Sequence, residues 1–354
     1  MRILFDIGHP AHVHFFKHAI ALLQQQNHDV LVTSRYKEMA TDLLDRLGIE
    51  HTPLSRLVKG GLFTLGKELI QRDFGLYKYV RRHKPDMMTA IGGVSIAHVG
   101  RLKNIPSLVF YDTENAKLQN AITYPFASCV LVPQCYQSWT PKHRTVRYPG
   151  YHELAYLHPN YFTPDRTIAQ ANGLDPQRDT FFLRLVSWQA NHDVGEEGWS
   201  PQFCEALVNR LSQAGKVIIS SETPLPESLQ AFAYQGDLSQ VHHLMAFCRL
   251  FIGESATMAS ECAVLGVPAL YVAHTGRGYT DEQESKYQLV TNIKTFNPEA
   301  IQKAIDQCLS HPADYYRGQG QRLLDNCIDV TQYIVDSLLH YPAVLNTYQK
   351  QIAS

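Results

Sequence analysis

The sequence predicts an α/β protein of two domains, each a parallel sheet with helices on both faces, set across a cleft. Two observations carry the prediction. Short apolar strands alternate with amphipathic helices in two separate runs, and a turn-rich stretch between Thr140 and Pro164 divides them. Alternation of this kind implies parallel sheets covered on both sides. The expected boundaries are 1–150 for the first domain, 151–330 for the second and 331–354 for a C-terminal helix packing back on the first.

Size and composition agree with two cores. A chain of 354 residues with 45% hydrophobic and 18% charged residues is globular and long for a single core. The net charge of −1 gives no global electrostatic argument for nucleic acid or a membrane surface. The first apolar run is short and interrupted by Asp6, unlike a secretory signal, and no stretch is apolar enough to span a bilayer. The seven cysteines form no CxxC pair. A reducing, cytoplasmic location is expected, with the thiols serving as small apolar residues.

In the first run, Arg2–Ile7 reads as a strand, Phe15–Gln26 as a helix, Asp29–Thr33 as a strand and Lys37–Leu47 as a helix ending at Gly48. Met87–Ile91, Ser107–Tyr111 and Cys129–Val132 are further strands, with Ile96–Leu102 a helix. In the second run, Thr180–Val186, Lys216–Ser220, Leu250–Ile252 and Ala269–Val272 read as strands, and Gln202–Gln213 and Thr257–Val264 as helices. The tail from Gln321 to Gln351 reads as helical with a break at Pro342.

Sheets of this type bind ligands at the carboxyl ends of their strands, so the residues after each strand are the candidates. Gly8, His9, His12 and His14 follow the first strand. Gly8 permits close backbone approach, and a histidine here can act as a general base near neutral pH, His12 first. A simple turn is the competing reading. His14 and His18 stand four apart, but nothing nearby completes a metal site, so no metal is expected. Asp112, Glu114 and Asn115 follow the Ser107–Tyr111 strand. The two carboxylates can face one cleft, one of them as acid or base; alternatively Asp112 or Thr113 caps a helix starting near Ala116.

The segment from Gly253 to Gly266 is the most informative. Gly253, Glu254, Ser255, Ala256 and Thr257 join a strand to a helix through mostly small residues. Free N–H groups and the positive end of a helix dipole suit a diphosphate there. Ser255 and Thr257 add hydroxyls, and Glu261, one turn on, can accept from ribose hydroxyls. Plain strand–helix packing with a Ser/Thr cap competes. A long polar loop, Ser187–Ser200, offers Trp188, Asn191, His192 and Asp193 for a phosphate or sugar, and Ser221 and Glu222 end the next strand. A surface loop and an ordinary turn are the alternatives for these two.

Several stretches together resemble an uncharacterised family, domain of unknown function number 354: His9-Pro10-Ala11-His12-Val13-His14-Phe15-Phe16-Lys17, Asp112-Thr113-Glu114, Arg147 through Leu157, Ser187-Trp188 with His192-Asp193, and Gly253 through Glu261. That family resembles the GT-B superfamily, with its UDP-GlcNAc 2-epimerases and glycosyltransferases. The resemblance implies two Rossmann-like domains with a UDP-sugar held mainly by the second. It sets Ser255, Ala256 and Thr257 at the phosphates and Glu261 at the ribose. The first loop also resembles that of the N-acetylglucosaminyltransferase making lipid II, with His12 on its histidine. Where epimerases carry a carboxylate this chain has Gly92-Gly93-Val94-Ser95, and their acidic helix has no match in Gln119-Asn120-Ala121-Ile122. The expectation is therefore a glycosyltransferase-like enzyme of polysaccharide or glycoconjugate synthesis. It would use a nucleotide-sugar as substrate and no separate cofactor, and its acceptor is left open, lipid-linked ones included. An epimerase-like isomerase and a non-catalytic nucleotide-sugar-binding protein are the alternatives.

Overall fold

The computed structural model describes residues 1–36, 38–56, 62–186 and 199–343. The chain divides into two compact units, Met1–Tyr156 together with the segment from Ile328 onward, and Leu157–Cys327.

The first unit holds β1 (Arg2–Ile7), β2 (Asp29–Tyr36), β3 (Thr52–Arg56), β4 (Met87–Ile91), β5 (Ser107–Phe110), β6 (Cys129–Pro133) and β7 (Thr145–Tyr148). They form one sheet in the order β3-β2-β1-β4-β5-β6-β7, every pair parallel. The chain winds outward from β1 through β2 and β3, then returns to β4 on the other side of β1. The strand order therefore reverses between β1 and β4, and a crevice is expected at their carboxyl ends. One face packs Leu4, Met88, Val109 and Val130 against Leu76, Val80, Ile96 and Val99 of the crossover helices. The other face carries an aromatic layer in which Phe15 lies 5.3 Å from Phe110 and Phe5 5.2 Å from Phe16.

The second unit holds β8 (Asp179–Leu185), β9 (Gly215–Ser221), β10 (Leu250–Gly253), β11 (Ala269–Val272) and β12 (Val290–Ile293), in the order β12-β11-β10-β8-β9. These pairs too are parallel, and the reversal falls between β8 and β10. Phe181, Leu183, Val217, Ile219, Leu250, Ile252 and Leu270 fill a core with the helices Pro201–Ala214 and Pro298–Ser310.

Several boundaries differ from the sequence reading. The first helix spans Pro10–Gln25, so it starts five residues early. Pro10 sits at its first position, where a fixed φ and a missing N–H cost nothing, and the His9 ring accepts from the Ala11 N–H. His12 and His14 thus stand in the first turns of a helix rather than in a loop. The C-terminal stretch is two helices, Ala313–Asp325 and Val330–Leu339, with the break at Asn326–Asp329. Asp329 caps the second through the Gln332 N–H. The strands β3, β7 and β12 and the helices Leu62–His83, Gly278–Ser285 and Pro298–Ser310 were not read from the sequence.

Candidate functional site

The crevice of the first unit is a cavity of about 440 Å³ at the carboxyl ends of β1, β4 and β5. Gly8, His9 and His12 line one wall, and Ile91, Gly93, Val94 and Ser95 another, with Thr113 and Gln119 beside them. Its floor carries two ion pairs. Arg72 donates to Asp6 at 2.8 Å, and the Thr33 hydroxyl donates to the same oxygen at 2.8 Å. Arg35 pairs with both carboxylate oxygens of the buried Glu68. Charges this deep are stable because each is paired.

Glycine is required at the β4 end of this crevice. Gly92 has φ +69°, and a Cβ there would lie 2.2 Å from Gln119 Nε2. The chain then turns into the helix Val94–Lys103 with Gly93 as N-cap and no side-chain cap bond. The Gly8 N–H donates to His12 Nδ1 at 3.3 Å. In the neutral ring this leaves the proton on Nε2.

Asp112 and Glu114 contact different groups. The strand ends at Phe110, and residues 111–116 form an irregular turn, so strand alternation no longer orients them. Asp112 Oδ2 lies 3.1 Å from His152 Nδ1, and its Oδ1 accepts from the Thr113 hydroxyl at 3.0 Å. Glu114 accepts from the Gln137 N–H at 3.4 Å. Neither caps the next helix, Lys117–Thr123, whose N-cap is Ala116. Among the described residues, neither lines the cavity. His14 is turned away as well, its ring 5.3 Å from Tyr156.

His152 is a residue that the sequence reading did not single out. It is buried, its ring tilted against Phe15 at 4.4 Å, and its Nε2 meets no hydrogen-bond partner. Burial pushes the imidazole below its ordinary value, and Asp112 pulls the other way. A proton on Nδ1 facing Asp112 leaves a bare lone pair on Nε2, the tautomer that a carboxylate imposes on a general base.

In the second unit the β8/β10 switch is closed by a reciprocal bond. The Val186 N–H donates to Glu254 Oε2 at 2.7 Å, and the Glu254 N–H to the Arg184 carbonyl at 3.1 Å. Gly253 is sterically fixed, since a Cβ would lie 2.4 Å from that carbonyl oxygen. The helix Ala256–Val264 begins directly after, with Ser255 as N-cap accepting from the Met258 N–H at 3.3 Å. Ala256 is half-buried and Thr257 exposed. Glu261 is 6% exposed, and its Oε1 lies 2.9 Å from His242 Nε2. Arg184 donates to Glu222 at 2.6 Å. Ser221 bonds Thr223 and lines a separate cavity at the end of β9. Trp188, Asn191, His192 and Asp193 lie outside the described residues. Among the described residues no cluster of three His, Cys, Asp or Glu is arranged to hold a metal, and no helix is long and apolar enough to cross a membrane.

Two parallel-sheet domains in this order form a GT-B fold. Solved structures of the same architecture include UDP-GlcNAc 2-epimerase from Neisseria meningitidis bound to UDP-GlcNAc, with TM-score 0.69, 14% identity, and 96% of this chain and 100% of that one covered. MurG of Acinetobacter baumannii aligns with TM-score 0.57, 15% identity, and 96% and 100% coverage. Such identities carry the fold and no further. The chain belongs to the family described as protein of unknown function (DUF354), whose model matches residues 1–341. An uncharacterized protein of Methanocaldococcus jannaschii, MJ0665, is 22% identical over 277 residues, covering 75% of this chain and 80% of the relative.

Proposed function

We propose that the protein transfers a sugar from a nucleotide-sugar, held by the second unit, to an acceptor hydroxyl held in the cavity of the first. The observation that carries this reading is the start of the Ala256–Val264 helix at the carboxyl end of β10, beside the strand reversal. Its N–H groups, the dipole and the Ser255 and Thr257 hydroxyls suit the diphosphate of a donor and the charge that develops as it leaves. Structural neighbours named for UDP-GlcNAc and UDP support the ligand class.

Transfer fits the first unit better than epimerisation. Elimination and re-addition need acid–base groups around the sugar. Here the lining carboxylates Asp6 and Glu68 are locked to arginines, and the epimerase carboxylate position is Gly92-Gly93. Imidazoles line the cavity instead. His12 is the group we assign to the acceptor hydroxyl. Accepting its proton on Nε2 requires the Gly8 bond to give way to the other tautomer, and at 3.3 Å that bond is weak, worth about 0.5 kcal/mol.

The test is a panel of nucleotide-sugars with candidate acceptors and the purified protein. Donor consumption with product formation is expected, and His12→Ala should lower kcat by about 10²- to 10⁴-fold without changing nucleotide affinity. Neither transfer nor donor cleavage with any pair would sink the reading. Solvent deuterium entering C2 of the sugar without an acceptor would replace it with isomerisation.

A further inference from the structure

Three crossover helices, Leu62–His83, Val94–Lys103 and Lys117–Thr123, cover one face of the first sheet. They share a side because each leads to a parallel strand further along the same direction of the sheet, and such connections are right-handed. Leu76 and Val80 of the first helix and Ile96 and Val99 of the second pack into the core beneath. On the other stripe of the first helix Lys67, Ile70, Phe74, Lys78 and Arg81 recur three or four residues apart, all exposed. The outer stripe of a surface helix is ordinarily polar. Here Ile70 and Phe74, Leu102 of the second helix and Leu118 of the third are each more than half exposed. Trp139 is exposed beside them, its ring 6.0 Å from that of Tyr124 at the end of the third helix.

The charge on this face has one sign. The three helices hold eight Lys and Arg against two carboxylates, Glu68 and Asp73, in a chain whose net charge is −1. Both carboxylates are spent inward, Glu68 on Arg35 and Asp73 on His98. Arg72 is spent on Asp6, and the other seven cations are exposed. Cations stand directly beside the aromatic rings: Lys78 Nζ is 4.3 Å from the centre of Phe74, and Lys103 Nζ 5.3 Å from that of Tyr77.

We propose that this face docks on an anionic lipid bilayer, with Ile70, Phe74, Leu102 and Leu118 seated among the acyl chains and the surrounding lysines and arginines at the phosphates. Exposed apolar side chains ringed by long basic ones suit that boundary, because the basic heads stay with the headgroups while the apolar tips leave water. Aliphatic Ile70, Leu102 and Leu118 offer a nucleic acid nothing to stack on or to hydrogen-bond. A second copy docked face to face about a two-fold axis would set the same uncompensated cations against each other. Among the described residues no helix is long and apolar enough to cross a membrane, so the protein lies on the bilayer through this face. The proposal goes beyond sugar transfer and does not depend on it.

The full chain is sedimented with vesicles of phosphatidylcholine alone and of phosphatidylcholine with about one-third phosphatidylglycerol, at low and at physiological ionic strength. It should bind the mixed vesicles, more weakly as salt rises, and the neutral ones at least about tenfold less. Lys78→Glu with Arg81→Glu should lower binding to mixed vesicles at least about tenfold, and Ile70→Ser with Phe74→Ser about tenfold. Lys303→Glu, at an exposed cation of the second unit, should leave it unchanged. All these side chains are exposed, so the variants should melt with the wild type. No binding to mixed vesicles at low salt would overturn the proposal, as would binding that both double variants retain. Loss in the charge variant alone would reduce the contact to adsorption and overturn the seating of the apolar side chains. Binding of duplex DNA in place of vesicles would assign the face to nucleic acid, and a dimer dissolved by Ile70→Ser with Phe74→Ser would assign it to a second copy; either overturns the proposal. Vesicle binding is read without donor or acceptor, so a failure of the transfer reading shows separately, as absence of turnover.

Discussion

His18 and His152 are held neutral for the same reason, and both make the first unit acid-sensitive. Burial lowers His18 to about 4, reinforced by Lys17 and opposed by Asp329. The unfolded chain takes up this proton near pH 6.5 and the folded chain only near pH 4, so between those values the unfolded state binds more protons and stability falls as pH falls. His18→Gln should flatten the decline of melting temperature across that window; an unchanged slope would show that other groups control it. His152 adds to the same decline, its imidazole lowered by burial. The two histidines also mark what a sequence can disclose of a site. Gly8, His9 and His12 were legible because they directly follow an apolar strand. His152 was not, because it sits after a Tyr-Pro-Gly turn that reads as linker, and its meaning lies in a contact with Asp112 forty residues earlier in the chain. Ser95 was equally silent: nothing in Gly92-Gly93-Val94-Ser95 tells that the hydroxyl is buried without a partner.

At the scale of elements, His98 does the opposite of His18. It stands in the Val94–Lys103 helix with Nδ1 2.8 Å from Asp73 of the Leu62–His83 helix and Nε2 2.8 Å from the Ile122 carbonyl of the Lys117–Thr123 helix. Both ring nitrogens face acceptors, which favours the imidazolium, and the bond to Asp73 raises its pKa against the cost of burial. This clamp across three helices is complete below pH 6.5 and is lost as pH rises through the raised value. Wild-type stability should therefore fall off on the alkaline side more than that of His98→Gln, measured by denaturant midpoints. In the second unit, Ser255→Ala should cost about 1 kcal/mol as the loss of a helix cap, and Gly253→Ala about 3 kcal/mol by forcing β10 from the Arg184 carbonyl. Central strands such as β4 and β11 were legible to the residue, being apolar runs buried on both faces. The edge strand β3 was not, because Pro53 interrupts it. The Leu62–His83 helix was hidden by Gly66 and Gly75, which weaken helical propensity that its packing against β3 and the Val94–Lys103 helix restores.

At the scale of the whole molecule, the chain leaves the first unit at Tyr156 and re-enters it at Ile328, so one unit is contiguous and the other is not. The returning helix Val330–Leu339 is structural to the first unit. It buries Val330, Tyr333, Ile334, Val335 and Leu338, with Tyr333 4.8 Å from Tyr148, and the Thr331 hydroxyl donates to the Ala155 carbonyl at 2.6 Å. It also packs on the Pro10–Gln25 helix that carries His12. Five large apolar side chains at about 1.5–3 kcal/mol each represent roughly 8–15 kcal/mol of burial, as much as the net stability of an ordinary domain. A chain ending at Cys327 should therefore lose the first unit: a single melting transition remains, and the second unit keeps its circular dichroism. Residues 157–327 expressed alone should give that same transition. If the truncated chain melted like the full one, the returning helix would be an accessory to the first sheet and not part of its core.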